Sequence, residues 1–244
     1  MRRYIIGALL ALSTLCSCVL DYGSSARPED VNDILYSRVR SYISAVKDQS
    51  RFVILTDVLQ NGSEAELQFV KSRYFDGYKI SVLEDRVILW RDHENSFSRY
   101  VIMTDKKPLS EGGEWSVLLE NELSTAKKLS SIKGVVGAER SFTIYYDRDS
   151  NNEDTQIELT VEYIVATEET NIIATEFSGE GTILGDNDEY IINFNIHDDD
   201  PIIYRESLYQ SSFLGMIDIS YKDFIDNKTR EFTVSANPHG PTYQ

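Results

Sequence analysis

The chain predicts an α+β fold, with N-terminal amphipathic helices followed by a mainly antiparallel β-sheet or β-sandwich. Apolar residues recur at spacings of three and four from about Glu29 to Lys47, the period of a helix with one buried face. From Tyr78 the period shortens towards two, and beyond Gly137 short alternating segments follow one another between Gly, Asp and Asn turns. Helices first and strands afterwards exclude a parallel α/β sheet, which needs the two to alternate.

The first helix is the clearest element. Pro28 suits a first helical turn, and Glu29 and Asp30 sit where the helix dipole favours anions. Val31, Ile34, Leu35, Val39, Tyr42, Ile43 and Val46 form its apolar stripe, opposite Asn32, Asp33, Arg38, Arg40 and Ser44. Phe52 to Leu59 is apolar without a period, so strand and helix both remain open there. Gly62 ends that run. Ser63-Glu64-Ala65-Glu66 has the spacing of a capping box, introducing a second helix to about Arg73 with Leu67 and Val70 inward.

Tyr78 to Leu83 and Val87 to Arg91 read as a hairpin across Glu84-Asp85, followed by strands at Arg99 to Thr104 and Trp115 to Leu119. A third helix is expected from about Asn121 to Ser131, with Lys127 and Lys128 near its negative end. Phe142, Ile144 and Tyr146 then alternate with polar or smaller neighbours. Ile157, Leu159, Val161 and Tyr163 alternate with Glu158, Thr160 and Glu162, as in a strand with one wet face. Ile172 to Phe177, Glu189 to Ile196, Met216 to Tyr221 and Glu231 to Ser235 continue the series.

Charge narrows the partners. The 244 residues carry a formal net charge of −16. Residues 1–17 hold Arg2, Arg3 and no acid, leaving 22 basic against 40 acidic residues, or −18, in the remainder. Nucleic-acid binding needs a Lys/Arg surplus to displace counterions from phosphate, so it is excluded as an expectation. Adsorption to anionic lipid by charge is excluded on the same ground.

The start of the chain specifies a location. Met1-Arg2-Arg3 is a positive n-region, and Ile5 to Leu15 is almost wholly apolar or small. Eleven helical residues reach only about 16 Å, roughly half the hydrocarbon core of a bilayer. Leu15-Cys16-Ser17-Cys18 follows, with an apolar residue three before the second cysteine and a small one directly before it. This segment resembles the lipobox of bacterial lipoproteins of the Gram-negative cell envelope. The resemblance covers about 18 residues and implies that Cys18 receives lipid and becomes the mature N-terminus. Val19 in place of Asp implies sorting to the outer membrane, with the periplasmic or surface face left open. Cys16 fits less well, because Leu15 would then fill the small-residue position. The expected organisation is a lipoprotein signal peptide over 1–17, a tether over 18–27 and a single α+β domain over 28–244. A soft boundary near 133–137 would separate a mixed α/β part from an all-antiparallel β part. Cys16 and Cys18 are the only cysteines, so cleavage before Cys18 leaves the folded part without a thiol for disulfide, metal or catalysis.

Few residues form a recognisable chemical constellation. Asp147, Asp149 and Asn151, with Glu158 eleven positions after Asp147, resemble the oxygen-ligand spacing of an EF-hand loop and make calcium the one candidate cofactor. Asn152 stands where that loop needs Gly, and the flanks read as strands. The same residues also suit an ordinary hairpin tip, where Asp and Asn side chains bond the local backbone. Gly185 to Glu189 and His197 to Pro201 are two more acidic turns, which share one sheet edge with Asp147 to Asp154 if alternate hairpins stack the same way up.

His93, His197 and His239 form no zinc-ligand pair, and no nucleophile elbow or phosphate-binding glycine loop occurs. With 40 acids, a pair of carboxylates suited to glycoside hydrolysis is harder to dismiss. Tyr74, Phe75, Tyr78, Trp90, Phe97, Tyr100 and Trp115 are material for sugar stacking or, more simply, for half-buried strands.

The expectation is a lipid-anchored cell-envelope protein with a binding or structural role and no catalysis. It would meet the membrane through Cys18, with a protein or glycan partner unspecified. The alternatives are a calcium- or glycan-binding surface module and a carboxylate-dependent glycoside hydrolase.

Overall fold

The computed structural model describes residues 28–244 apart from 84–85, 94–95, 105–112, 122–123, 135–139, 151–152, 168–170, 208–210 and 238–239. Cys18 and Asn151 lie outside the described residues.

The fold is α+β. Two helices, α1 (Pro28–Asn61) and α2 (Glu64–Tyr74), precede β1 (Lys79–Val82), β2 (Arg86–His93), β3 (Ser96–Thr104), β4 (Gly113–Asn121) and β5 (Ser124–Gly134). Then come β6 (Ser141–Ser150), β7 (Glu153–Ala166), β8 (Ile172–Gly185), β9 (Tyr190–Ile196), β10 (Ile202–Ser207), β11 (Ser211–Asp223), β12 (Thr229–Ala236) and β13 (Thr242–Tyr243). Among the described residues all the strands belong to one 13-stranded antiparallel sheet rather than to two separate sheets.

α1 is longer than its stripe predicts. Leu35, Val39, Ile43 and Val46 are fully buried along one face, and the helix then continues through Phe52, Val53, Ile54 and Leu55, which are buried on every side. A helix enclosed all round loses its amphipathic period, which is why this stretch is ambiguous in sequence. Gly62 follows because a Cβ there would lie 2.6 Å from the Val58 side chain. Ser63 and Glu66 then close the capping box: the Glu66 main-chain N–H donates to Ser63 Oγ at 3.3 Å, and the Ser63 N–H donates to Glu66 Oε2 at 2.8 Å.

The helix expected over Asn121 to Ser131 is instead strand β5. It pairs with β4 along most of its length, Lys127 opposite Leu119 and Lys128 opposite Leu118, while Ser131 to Lys133 also pair with β6; this ladder outweighs the modest helix preference of Ala126-Lys127-Lys128-Leu129. The sheet thus runs on past Gly134, with Ile132 opposite Ile144. β7 shows the anticipated alternation: Thr155, Ile157, Leu159, Val161, Tyr163 and Val165 face the helices, while Asp154, Gln156, Glu158 and Glu162 face outward.

Buried carboxylates fix α1 across the inner face of the sheet. Glu153 accepts from the hydroxyls of Tyr42 and Tyr190, both at 2.6 Å, and pairs with Arg38 at 2.7 Å. Glu206 accepts from Lys47 at 2.7 Å and from Tyr74 at 2.6 Å, with Arg73 at 3.6 Å. Asp57 accepts from Tyr163 at 2.6 Å and from Asn61 at 2.9 Å, with Arg140 at 3.7 Å. Burial first, and the adjoining carboxylate next, push the hydroxyls of Tyr74, Tyr163 and Tyr190 well above the ordinary phenol range, so each remains a donor. Pairing each buried charge avoids the cost of an unpaired one and pins the helix in one register.

β9 and β10 lie end to end between β8 and β11. Gly179 to Leu184 pairs with β9, and Ile172 to Phe177 pairs with β10. The acidic turn His197 to Pro201 fills the break between them. Two glycines with positive φ make room beside it: a Cβ on Gly179 (φ +127°) would lie 2.4 Å from the Glu158 carbonyl oxygen, and one on Gly215 (φ +130°) 2.4 Å from that of Pro201.

Candidate functional site

The acidic segments chosen from sequence are only partly brought together. The β6–β7 hairpin and the turn at Asp186–Asp188 lie at the same end of the sheet, since Glu153 pairs with Gly185. His197 to Pro201 does not join them, because a strand break places it within the sheet instead.

Of the calcium candidates, Asp147 pairs with Gln156, Asp149 with Asp154, and Glu158 with Tyr145, in a regular antiparallel ladder. Four residues along β7 separate Glu158 from the level of Asp149, about 13 Å at strand rise. The twelve-residue spacing is therefore drawn out along two strands rather than folded into a loop. Glu158 accepts a hydrogen bond from the Tyr145 hydroxyl at 3.0 Å. Among the described residues no group of three His, Cys, Asp or Glu side chains is placed to hold a metal ion.

A different place collects polar groups. On the outer face of β8, β9, β11 and β12 lies an open cleft of about 530 Å³ lined by Glu180, Asn193, Asn195, Asp218, Glu231 and Thr233, among others. Strand register builds it. Glu180 pairs with Asn195, Asn195 with Asp218 and Asp218 with Thr233, giving one polar row across four strands. Thr182, Asn193, Ser220 and Glu231 form the next row by the same pairings. The inward neighbours Phe194, Ile219 and Phe232 are buried and give the floor its rigidity. Gly181 contributes too: its missing Cβ leaves the space taken by the Phe194 ring, 2.4 Å from where that carbon would be.

Hydrogen bonds preorder one end of the cleft. Asp218 accepts from the Thr233 hydroxyl at 2.6 Å and from His197 Nε2 at 2.8 Å. These two bonds, Thr233 first, hold the Asp218 carboxyl below the ordinary range. The bond to Asp218 raises the His197 imidazole above its usual value; desolvation opposes it, and the charges of Asp218, Asp199 and Asp198 add to the rise. The Asn195 amide nitrogen stands 3.3 Å from the imidazole. Thr182 donates to the Asn193 carbonyl at 2.9 Å, which orients the amide.

Glu180, Ser220 and Glu231 make no side-chain hydrogen bond among the described residues, so their acceptor capacity faces solvent. The partners of the His197 imidazole are the Asp218 carboxylate and the Asn195 amide.

The cleft is not visible in the sequence because its residues come from strands that are adjacent only after pairing. The one local trace is the alternation Asn193-Phe194-Asn195, with amides outward and an aromatic inward. No described helix is long and apolar enough to cross a membrane. Comparison of the chain with models of known families, with curated proteins and with solved structures gives no match.

Proposed function

We propose that this protein is a lipid-anchored component of the Gram-negative cell envelope, attached to the outer membrane through Cys18, with a non-catalytic binding role. The carrying observation is the outer-face cleft, where carboxylates, amides and hydroxyls from four neighbouring strands stand in register. Such a surface suits a ligand rich in hydroxyl or amide groups, and a glycan is the class that matches it. The leader and the Leu15-Cys16-Ser17-Cys18 segment support the anchor. The test has two parts. Radiolabelled fatty acid enters the wild-type chain and not Cys18→Ala, which leaves the membrane fraction. Glycan binding by the purified protein falls in the double variant Asn193→Ala with Asn195→Ala, while its thermal unfolding is unchanged. Fatty acid failing to enter the wild-type chain removes the anchor; binding that is indifferent to both amides removes the cleft.

A second reading, hydrolysis by paired carboxylates, is favoured by Glu180 and Asp218 standing two strands apart, about 10 Å between Cα atoms. Both side chains line the same cleft, as a pair of catalytic carboxylates must. It requires release of reducing sugar that Glu180→Gln abolishes.

A further inference from the structure

The loop between β11 and β12 presents two consecutive large apolar side chains to solvent, Phe224 at 48% and Ile225 at 70% exposure. They do not project from a slack loop. The Asp223 N–H donates to the Lys228 carbonyl at 2.8 Å, closing the hairpin, and the Phe224 N–H donates to the Glu189 carbonyl at 2.9 Å, tying it to the neighbouring turn. Asp223 Oδ1 accepts from the N–H groups of both Ile225 and Asp226 at 2.9 Å. Asn227 completes the turn in the left-handed region, with φ at 52°. A turn fastened in this way holds Phe224 and Ile225 outward instead of letting them fold back on the sheet.

Within the loop itself, residues 222–228, the charges balance although the chain is strongly acidic. Lys222 and Lys228 offset Asp223 and Asp226; Lys228 pairs with Asp226 at 2.6 Å, and Lys222 lies 4.9 Å from the centre of the Phe224 ring. An apolar tip with cationic stems beside it is the chemistry of an interfacial contact, the stems reaching to headgroups while the rings enter the acyl boundary.

A short chain of contacts links the tip to α1. Glu189, which receives the Phe224 N–H, adjoins Tyr190, whose ring centre is 5.5 Å from the Arg38 guanidinium. Arg38 is ten residues into α1, about 15 Å along the helix from Pro28. The ten residues 18–27 span at most about 36 Å when extended. A lipid on Cys18 therefore keeps this end of the sheet within reach of the bilayer surface.

We propose that the Phe224–Ile225 tip is a second membrane contact, dipping into the interface of a zwitterionic lipid surface and fixing the orientation of the anchored domain. This rests on the lipid-anchor reading above. Exposed Asp188 and Glu189 beside the tip disfavour anionic headgroups, so the preferred surface is a neutral one.

The experiment uses the full acylated chain in phosphatidylcholine–phosphatidylethanolamine vesicles. Ile225→Cys is labelled with an environment-sensitive fluorophore; the thiol is unique once the leader is removed and Cys18 is acylated. Gln68→Cys, on the exposed side of α2, is the control position. The proposal expects the emission at position 225 to shift to the blue and to lose quenching by aqueous iodide. Position 68 remains quenched, the shift shrinks in Phe224→Ser, and it weakens when phosphatidylglycerol is added at low salt. If the protein floats with the vesicles while position 225 stays aqueous, the tip contact is overturned and the anchor stands. If a blue shift appears only when a second protein is added, the tip docks on protein rather than lipid and the proposal is likewise overturned. Should the acylated chain fail to float at all, anchor and tip contact are both refuted.

Discussion

Removing Lys47 tests whether the buried carboxylates hold α1 as coupled units. Lys47 Nζ lies 2.7 Å from Glu206 Oε1, with side-chain exposures of 19% and 7%, so water screens the pair poorly. Lys47→Met leaves Glu206 with the Tyr74 hydroxyl at 2.6 Å and the Arg73 guanidinium at 3.6 Å. Breaking a buried pair by deleting one partner typically costs about 3–5 kcal/mol. Arg73 remains as partial compensation, which places the expected loss near the lower end, about 3 kcal/mol. Glu206→Gln keeps the shape and the bond from Tyr74 but discards the charge, and should cost about 1–3 kcal/mol. The double variant removes both charges together and should cost clearly less than the sum of the two. Urea unfolding followed by circular dichroism gives all three values. If the losses add to within about 0.5 kcal/mol, the pair is uncoupled and the argument that it pins the helix register fails.

Other expectations follow from the same geometry. Gly179 and Gly240 share a positive φ (127° and 120°), but a Cβ on Gly179 lies 2.4 Å from the Glu158 carbonyl and one on Gly240 meets nothing within 4 Å, so Gly179→Ala should unfold at much lower urea than Gly240→Ala. Phe52→Ala removes a fully buried ring packed on Phe75 and Tyr100, with centroids 5.4 and 4.9 Å away, and should cost about 3–5 kcal/mol by the same unfolding assay.

Proton NMR should find His197 titrating above the reference value of 6.5, and Asp218→Asn should bring it down. Because the folded imidazole is raised, its contribution to stability is complete below the unfolded value and is lost as pH rises through the folded one. The contribution of Asp218, whose carboxyl is lowered, is present above its unfolded value and is lost as pH falls through the folded one. The Asp218–His197 pair is therefore strongest in mildly acidic solution, and a thermal-melting profile flat across that window in both wild type and Asp218→Asn would count against it.

The first stripe of α1, the capping box at Ser63 and Glu66, and the alternation of β7 were all legible in the chain. Each is a local pattern: a period, a cap and its partner three residues on, a face of apolar side chains two residues apart. Where burial became symmetrical the pattern vanished, as along Phe52 to Leu59, because a helix enclosed on all sides has no polar face to mark its turn. Ala126 to Leu129 failed for the opposite reason. Their weak helical preference was overruled by the ladder with β4, a pairing that exists only once the hairpin has closed.

The cleft and the clamps belong to that second class. Asn195, Asp218 and Thr233 form a row because register aligns three strands, and Glu206 meets Lys47 and Tyr74 from more than 130 residues away. Local composition alone established an acidic, strand-rich domain. The choice of which carboxylates are buried and paired, and which stand open to a ligand, required the sheet, since a charge acquires its role from what desolvates or faces it and not from its neighbours in the chain.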